Sequence, residues 1–280
     1  MDFDAIHAET DLDLYEAGIL THGHNASLIR LKDKDGQSYI AKSATNGSAK
    51  LDIEGWMLLQ LAQAGLPVPH VYYYDSSTLI MDDLGREGPK TKSFEEQAAY
   101  VLAKLHNHRA QHYGLERDTL IGPLDQPNSK EDSWLVFFRD HRLMHYGRIA
   151  LKKGRIDKAL MGRIDRLADK LDHFITDPAP PSLIHGDAWA GNMLAGAHGL
   201  AGFIDPAIYY ADPEIELSFI DLMGGVSARF FDTYYDVHPK RDGFEEIRLD
   251  LYNLYPLLVH AILFGGGYSE RVDSIVTRLV

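Results

Sequence analysis

The hydrophobic pattern changes period part-way along the chain, and that change limits the folds open to it. Over roughly the first 80 residues the apolar positions come in short runs. Ser27 to Leu31 and Gln37 to Lys42 are β-like, and the Asp35-Gly36 pair between them marks a hairpin turn. Leu51, Leu58, Leu61 and Ala62 then share one helical face, in a helix expected to end near Gly65 because Pro67 and Pro69 cannot continue it. Val71 to Tyr74 and Thr78 to Met81 read as a second strand pair. From Ser93 onward the period is helical: Phe94, Ala98, Val101, Leu102 and Leu105 form one apolar stripe, with Ser93 and Glu96 spaced as a capping box. Further helices are expected over Trp134 to Tyr146, over Ile156 to Phe174, and from Asp212-Pro213 to the glycine pair Gly224-Gly225. The polar stretch Asp82 to Gly88 is the candidate joint between the two regimes. The pattern predicts an α+β, bilobal chain, with a small β-rich N-terminal lobe over 1–84 and a larger, mainly helical C-terminal lobe over 85–280.

Composition narrows the function classes. The 280 residues carry 28 basic and 41 acidic side chains, a formal charge of −13, and no cysteine. A disulfide framework, a thiolate metal site and a cysteine nucleophile are therefore excluded. The acidic balance, without a basic run, argues against a nucleic-acid partner, which needs clustered Lys and Arg to neutralise phosphate. Asp2, Asp4 and Glu9 stand where a signal peptide needs positive charge. The apolar stretch Leu257 to Phe264 contains His260 and stops at Gly265, short of the roughly 20 residues that span a bilayer. A cytoplasmic protein with no membrane partner is the expectation.

The chemistry concentrates between Leu183 and Asp205. His185-Gly186-Asp187-Ala188-Trp189-Ala190-Gly191-Asn192 has the spacing H-x-D-x-x-x-x-N, and Phe203-Ile204-Asp205-Pro206 places a second carboxylate after a short apolar run. Phosphoryl transfer uses this combination. One carboxylate orients the attacking hydroxyl and receives its proton, while an amide oxygen and another carboxylate hold Mg²⁺ against the nucleotide phosphates. That assigns Asp187 as base and Asn192 with Asp205 as metal ligands. Upstream, Lys42 lies in a strand-like run and Glu54 in the next helix, the expected pair for gripping and orienting ATP phosphates.

Other nucleotide signatures are absent: neither G-x-x-x-x-G-K-[ST] nor G-x-G-x-x-G occurs. The phosphate-covering loop is then Thr21-His22-Gly23-His24-Asn25, with Gly23 its single glycine. His141 and His145 lack the carboxylate of a zinc motif. Tyr72-Tyr73-Tyr74 reads as strand packing. The motif set alone leaves open an aminoglycoside, choline or homoserine kinase, and also a nucleotide-binding regulator without turnover.

At this point the chain resembles the fructosamine kinase family, within the aminoglycoside and choline kinase group of protein-kinase-like folds. Leu183-Ile184-His185-Gly186-Asp187-Ala188-Trp189-Ala190-Gly191-Asn192 is similar to the family's L-x-H-G-D-L-W-x-G-N, and Ile204-Asp205-Pro206-Ala207-Ile208-Tyr209-Tyr210 to its I-D-P-A-x-Y-Y. Leu102 to His106, Trp134 to Leu143 and Leu254 to Tyr268 extend the likeness over nearly the whole chain. Two departures stand out: the single-glycine first loop, and Glu216-Leu217-Ser218 where the wider group often has Asp-Leu-Ala.

The resemblance implies a protein-kinase-like fold and an ATP-dependent kinase of the 3-hydroxyl of a ketosamine (a fructosamine or ribulosamine), acting in deglycation repair. ATP would lie between the lobes with its adenine at the backbone of Met81, Asp82 and Leu84. Trp189 would either stack on the sugar or pack locally. Glu214, with Asp187, would draw the substrate's ammonium into an acidic lobe.

Overall fold

In a computed structural model, the structure describes residues 1–22, 26–45, 49–85 and 88–280. Helix α1 (Phe3–Thr10) precedes an antiparallel five-stranded sheet of β1 (Leu14–His22), β2 (Ala26–Asp33), β3 (Ser38–Ala44), β4 (Val71–Tyr74) and β5 (Thr78–Asp82). Their order is β1-β2-β3-β5-β4, and α2 (Leu51–Gln63) crosses between β3 and β4. Alternation along β3 divides its side chains between two faces. Tyr39 and Ala41 pack with Ile6, Leu14, Leu31 and Ile80. Ile40 packs on the other face with Leu51, Leu58, Leu79 and Met81, beside α2. Lys42 is two residues beyond Ile40, so it shares the face that meets α2. Neither α1 nor β1 has a counterpart in the sequence pattern. β1 is an edge strand exposed along almost its whole length, so it lacks the apolar alternation that announces a strand.

The rest of the chain is mainly helical. α3 (Lys92–Leu105) is followed by the β6 (Thr119–Ile121) and β7 (Leu124–Gln126) hairpin. Next come α4 (Trp134–Phe137), a π-helical turn (Phe138–Met144), α5 (His145–Lys152), α6 (Lys158–Ala168) and α7 (Leu171–Phe174). β8 (Ser182–Ile184) pairs with β11 (Tyr209–Ala211), enclosing the hairpin of β9 (Met193–Gly196) and β10 (Gly199–Phe203). α8 (Glu214–Met223), α9 (Ala228–Val237), a second π-helical turn (Phe244–Arg248), α10 (Leu249–Phe264) and α11 (Tyr268–Leu279) complete it.

Three local expectations are corrected. α3 begins before Ser93: Thr91, in extended backbone, caps it by accepting from the Phe94 N–H at 3.3 Å. Ser93 and Glu96 instead meet Gln97 and Arg229. The helix expected over Trp134 to Tyr146 widens into a π-helical turn around the fully buried Arg142, which donates to the Pro127 carbonyl and to Asn128 Oδ1, each at 2.8 Å. The stretch Ile156 to Phe174 divides into α6, capped by Asp157, and α7.

Helical backbone runs unbroken from Phe244 to Phe264, 21 residues whose apolar window is 67% buried. Leu251, Leu254, Leu257 and Leu258 lie in the largest core, so this helix is accounted for by packing within the protein. Phe203 N–H donates to the Pro67 carbonyl at 2.8 Å, tying the sheet side to β10, and Gly88 N–H donates to the Ala195 carbonyl at 3.1 Å, holding the end of the joint against β9.

Candidate active site

Strand β8 ends at Ile184 and delivers His185, Gly186 and Asp187 into a tight turn. Gly186 has φ +85°, and a Cβ there would fall 2.0 Å from the Ala207 carbonyl oxygen, so no larger residue fits. The same crowding lets Ala207 N–H donate to the His185 carbonyl at 2.8 Å. Asn192 closes the loop: its Nδ2 donates to the Asp187 carbonyl and to Asp187 Oδ2, both at 2.9 Å. Its own carbonyl accepts from Ile204 N–H at 3.0 Å, bringing Asp205 alongside. Asp205 adopts φ +56°, a left-handed conformation that Asp tolerates better than most residues. Burial, and then the charge of Asp205, push the Asp187 carboxyl well above the usual carboxylate range.

A buried carboxylate supports this loop from below. Glu216, on α8, accepts from Gly186 N–H at 2.6 Å, from His185 N–H at 3.2 Å and from His106 Nε2 at 2.9 Å. His106 Nδ1 lies 2.7 Å from the Tyr234 hydroxyl, which donates to it when Nε2 carries the proton. Burial works to raise the Glu216 carboxyl, but the hydrogen bonds it accepts from His106 and Gly186 outweigh it and hold the pKa below the ordinary glutamate value. The longer side chain at this position thus keeps two backbone amides of the catalytic turn.

Lys42 reaches the same place from β3. Its Nζ donates to Glu54 Oε1 at 2.5 Å and also to Asp205 Oδ1, joining sheet, helix and catalytic segment. Burial works to lower the ammonium, and the two carboxylates reverse this, leaving it above the usual lysine value. For Glu54, burial prevails over the pull of Lys42 and moves the carboxyl up.

These groups line one cleft of about 830 Å³, together with Leu28, Ile40, Met81, Leu84, Leu194 and Ile204. The predicted joint forms part of its edge. Asp82 uses its carboxylate within the sheet, accepting from His70 N–H at 3.1 Å and the Tyr72 hydroxyl at 2.9 Å. Among the described residues, no backbone carbonyl takes the amides of Asp83 and Leu84, which leaves that strip of backbone open to a ligand.

The structure therefore brings together Lys42, Glu54, Met81, Asp82, Leu84, Asp187 and Asp205, with Asn192 buried just behind Asp187. Gly23 lies outside the described residues. Glu214 is not among the residues lining this cleft, and its carboxylate is held by Arg241 (2.7 Å) and Arg248 (2.6 Å). Trp189 also lines no part of the cleft, and its indole covers Gly191, where a Cβ would fall 2.3 Å from the ring. Gln126 and Tyr255 were not legible as site residues. Gln126 Nε2 donates to the Ala207 carbonyl at 2.9 Å, and its Oε1 accepts from the Tyr255 hydroxyl at 2.6 Å, bracing the segment that carries Asp205. For Tyr255 the family likeness over Leu254 to Tyr268 was the available signal.

The family model described as fructosamine kinase matches residues 7–280. The chain belongs to the fructosamine kinase family. Among the relatives of this fructosamine kinase family member is a Synechocystis protein named "probable ketoamine kinase", 36% identical over 233 residues, 81% of this chain and 76% of that one. An Escherichia coli protein of the same description is 32% identical over 74% of this chain and 70% of its own length. A crystal structure from Thermobifida fusca carrying a fructosamine-3-kinase name superposes with a TM-score of 0.90 at 30% identity, covering 98% of this chain and 96% of that one. A streptomycin- and ATP-bound aminoglycoside phosphotransferase shares the fold, with a TM-score of 0.62 at 16% identity, 99% of this chain and 95% of that one being covered. The fold is protein-kinase-like, with an N-terminal antiparallel sheet and a helical C-terminal part.

Proposed function

We propose that this chain transfers the γ-phosphoryl group of ATP to a sugar hydroxyl of a ketosamine, the 3-hydroxyl of a fructosamine or ribulosamine. The observation that carries the reading is the convergence of Lys42, Glu54, Asp187 and Asp205 on one cleft. Residues 1–84 supply the nucleotide side and residues 85–280 the catalytic and acceptor side. Asp187 orients the acceptor hydroxyl and takes its proton, while Asn192 holds the carboxylate in place. Lys42, oriented by Glu54, grips the phosphates, and most of the rate comes from positioning and electrostatic stabilisation.

The donor chemistry suits Mg²⁺. An Asp205 carboxylate and an Asn192 amide oxygen are hard donors, and two protein oxygens leave the remaining positions to phosphate and water. Asn192 and Asp205 would hold the ion, which when bound offsets charge on the phosphoryl oxygens. The ketosamine acceptor is supported by relatives named as ketoamine kinases and by a rice relative named protein-ribulosamine 3-kinase, 35% identical over 59% of this chain. A phosphoester placed there labilises the adduct, which fits a role in deglycation.

The test is Mg²⁺-ATP turnover against ribulosyl-lysine, fructosyl-lysine, an aminoglycoside, choline and homoserine, read by mass spectrometry. Phosphate is expected on a ketosamine and absent with Asp187→Asn, while that variant still binds ATP. Transfer to one of the other acceptors, or comparable turnover by Asp187→Asn, refutes the assignment.

A further inference from the structure

The cleft has chemically unlike walls. Its described charges are Lys42, Glu54, Asp82, Asp83, Asp187 and Asp205, all from the sheet side or the catalytic segment. The β6–β7 turn and the end of α10 contribute Leu120, Gly122, Pro123, Leu263 and Phe264, with no charge among the described residues. Phe264 is 68% exposed, so the core does not explain it. Its ring has aromatic neighbours, with its centroid 5.6 Å from that of His260 and 6.3 Å from that of Tyr268; those two lie 5.0 Å apart. Gly265 and Gly266, at φ +68° and +64°, turn the chain after α10 so that Tyr268 returns against the ring. Gly265, at φ +68° and ψ −143°, adopts a backbone conformation suited to glycine.

We propose that Phe264 seats the amine substituent of the ketosamine, making it a specificity-determining residue for the reaction inferred above, on which this rests. The acceptor hydroxyl must reach Asp187. The small cavity behind Asp187, lined by Tyr209, Glu216, Tyr255 and His260, measures about 30 Å³ and has room for water rather than a sugar. The sugar therefore approaches through the main cleft. Its amine is attached at C1, two carbons from the reacting C3 position, so the substituent extends away from Asp187 toward a wall. Among the described residues that line the cleft, the wall ending in Phe264 offers no carboxylate or cation, and Arg155 lies behind Gly265 without lining it. What it recognises is apolar surface, an aryl ring or the methylene stem of a lysine, at a preformed aromatic platform.

The test compares fructosyl-benzylamine with fructosyl-methylamine, both with saturating Mg²⁺-ATP, in the unaltered enzyme, Phe264→Ala and Phe264→Leu. In Phe264→Ala, kcat/KM for the benzyl substrate should fall about tenfold, mainly through KM, and for the methyl substrate less than about threefold. Phe264→Leu should recover part of the benzyl preference. An unchanged benzyl-to-methyl ratio in Phe264→Ala overturns this inference and leaves the ketosamine reading standing. If the unaltered enzyme turns over neither substrate, both fall together.

Discussion

Replacing Glu216 by Gln tests how the catalytic turn is held. Three donors converge on that carboxylate: Gly186 N–H, His185 N–H and His106 Nε2. Gln keeps one acceptor oxygen and presents an NH₂ group in place of the other. If the oxygen stays on Gly186, His106 adapts by moving its proton to Nδ1 and donating to Tyr234, so that Nε2 accepts from the new amide. His185 N–H has no such option and loses its acceptor. An orphaned buried donor costs about 1–3 kcal/mol, and weakening the charge-assisted bond at Gly186 adds about 1, giving a loss of about 2–4 kcal/mol.

Urea unfolding followed by tryptophan fluorescence reads this as a lower midpoint at unchanged slope. The pH dependence has a definite sign. Because the folded pKa of Glu216 lies below its ordinary value of 4.5, its contribution is complete above that pH and disappears as pH falls through the folded value. The deficit of Glu216→Gln should thus be full near neutrality and shrink on acidification below about pH 4.5. A deficit under about 0.5 kcal/mol at neutrality, or one that persists unchanged in acid, would refute the argument.

Two further substitutions separate binding from support. Lys42→Met should weaken ATP binding at least about tenfold by calorimetry, because the cation between Glu54 and Asp205 is gone; unchanged affinity would remove Lys42 from the nucleotide site. Glu214→Gln should lower stability by about 3 kcal/mol through its buried pairing with Arg248, with KM for the ketosamine unaltered. A raised KM without loss of stability would instead return Glu214 to the substrate.

What the sequence made legible was local or periodic. Lys42 and Glu54 could be paired because a strand lysine followed by a helix glutamate is what gripping ATP phosphates requires, and the H-G-D segment stood out by its spacing to Asn192 and Asp205. The ion pairs of Glu214 were not legible because its partners Arg241 and Arg248 lie 27 and 34 residues further on, and only the packed helices bring them to it. The cap of α3 was misplaced by two residues because Thr91 and Ser93 are chemically alike; backbone conformation, not residue type, chooses between them. Edge strand β1 left no trace, since exposure on both faces removes the pattern that sequence reading depends on.

The lining of the cleft also bears on the form in which nucleotide can enter. Its described charged groups are one cation, Lys42, and five carboxylates, Glu54, Asp82, Asp83, Asp187 and Asp205. Arg30 pairs with Asp83, at 2.8 Å, and Lys42 is already shared between two of the others. Setting aside Asp187 and Glu54, whose carboxyls burial moves up, Asp82, Asp83 and Asp205 still face a bare polyphosphate with a field of its own sign, and its attraction to Lys42 is countered by Asp205, which holds that lysine. On the proposed reading, a divalent ion held by Asn192 and Asp205 would serve the admission of nucleotide as well as the chemistry. The protein resembles half of a salt, with the counter-charge arriving on the substrate.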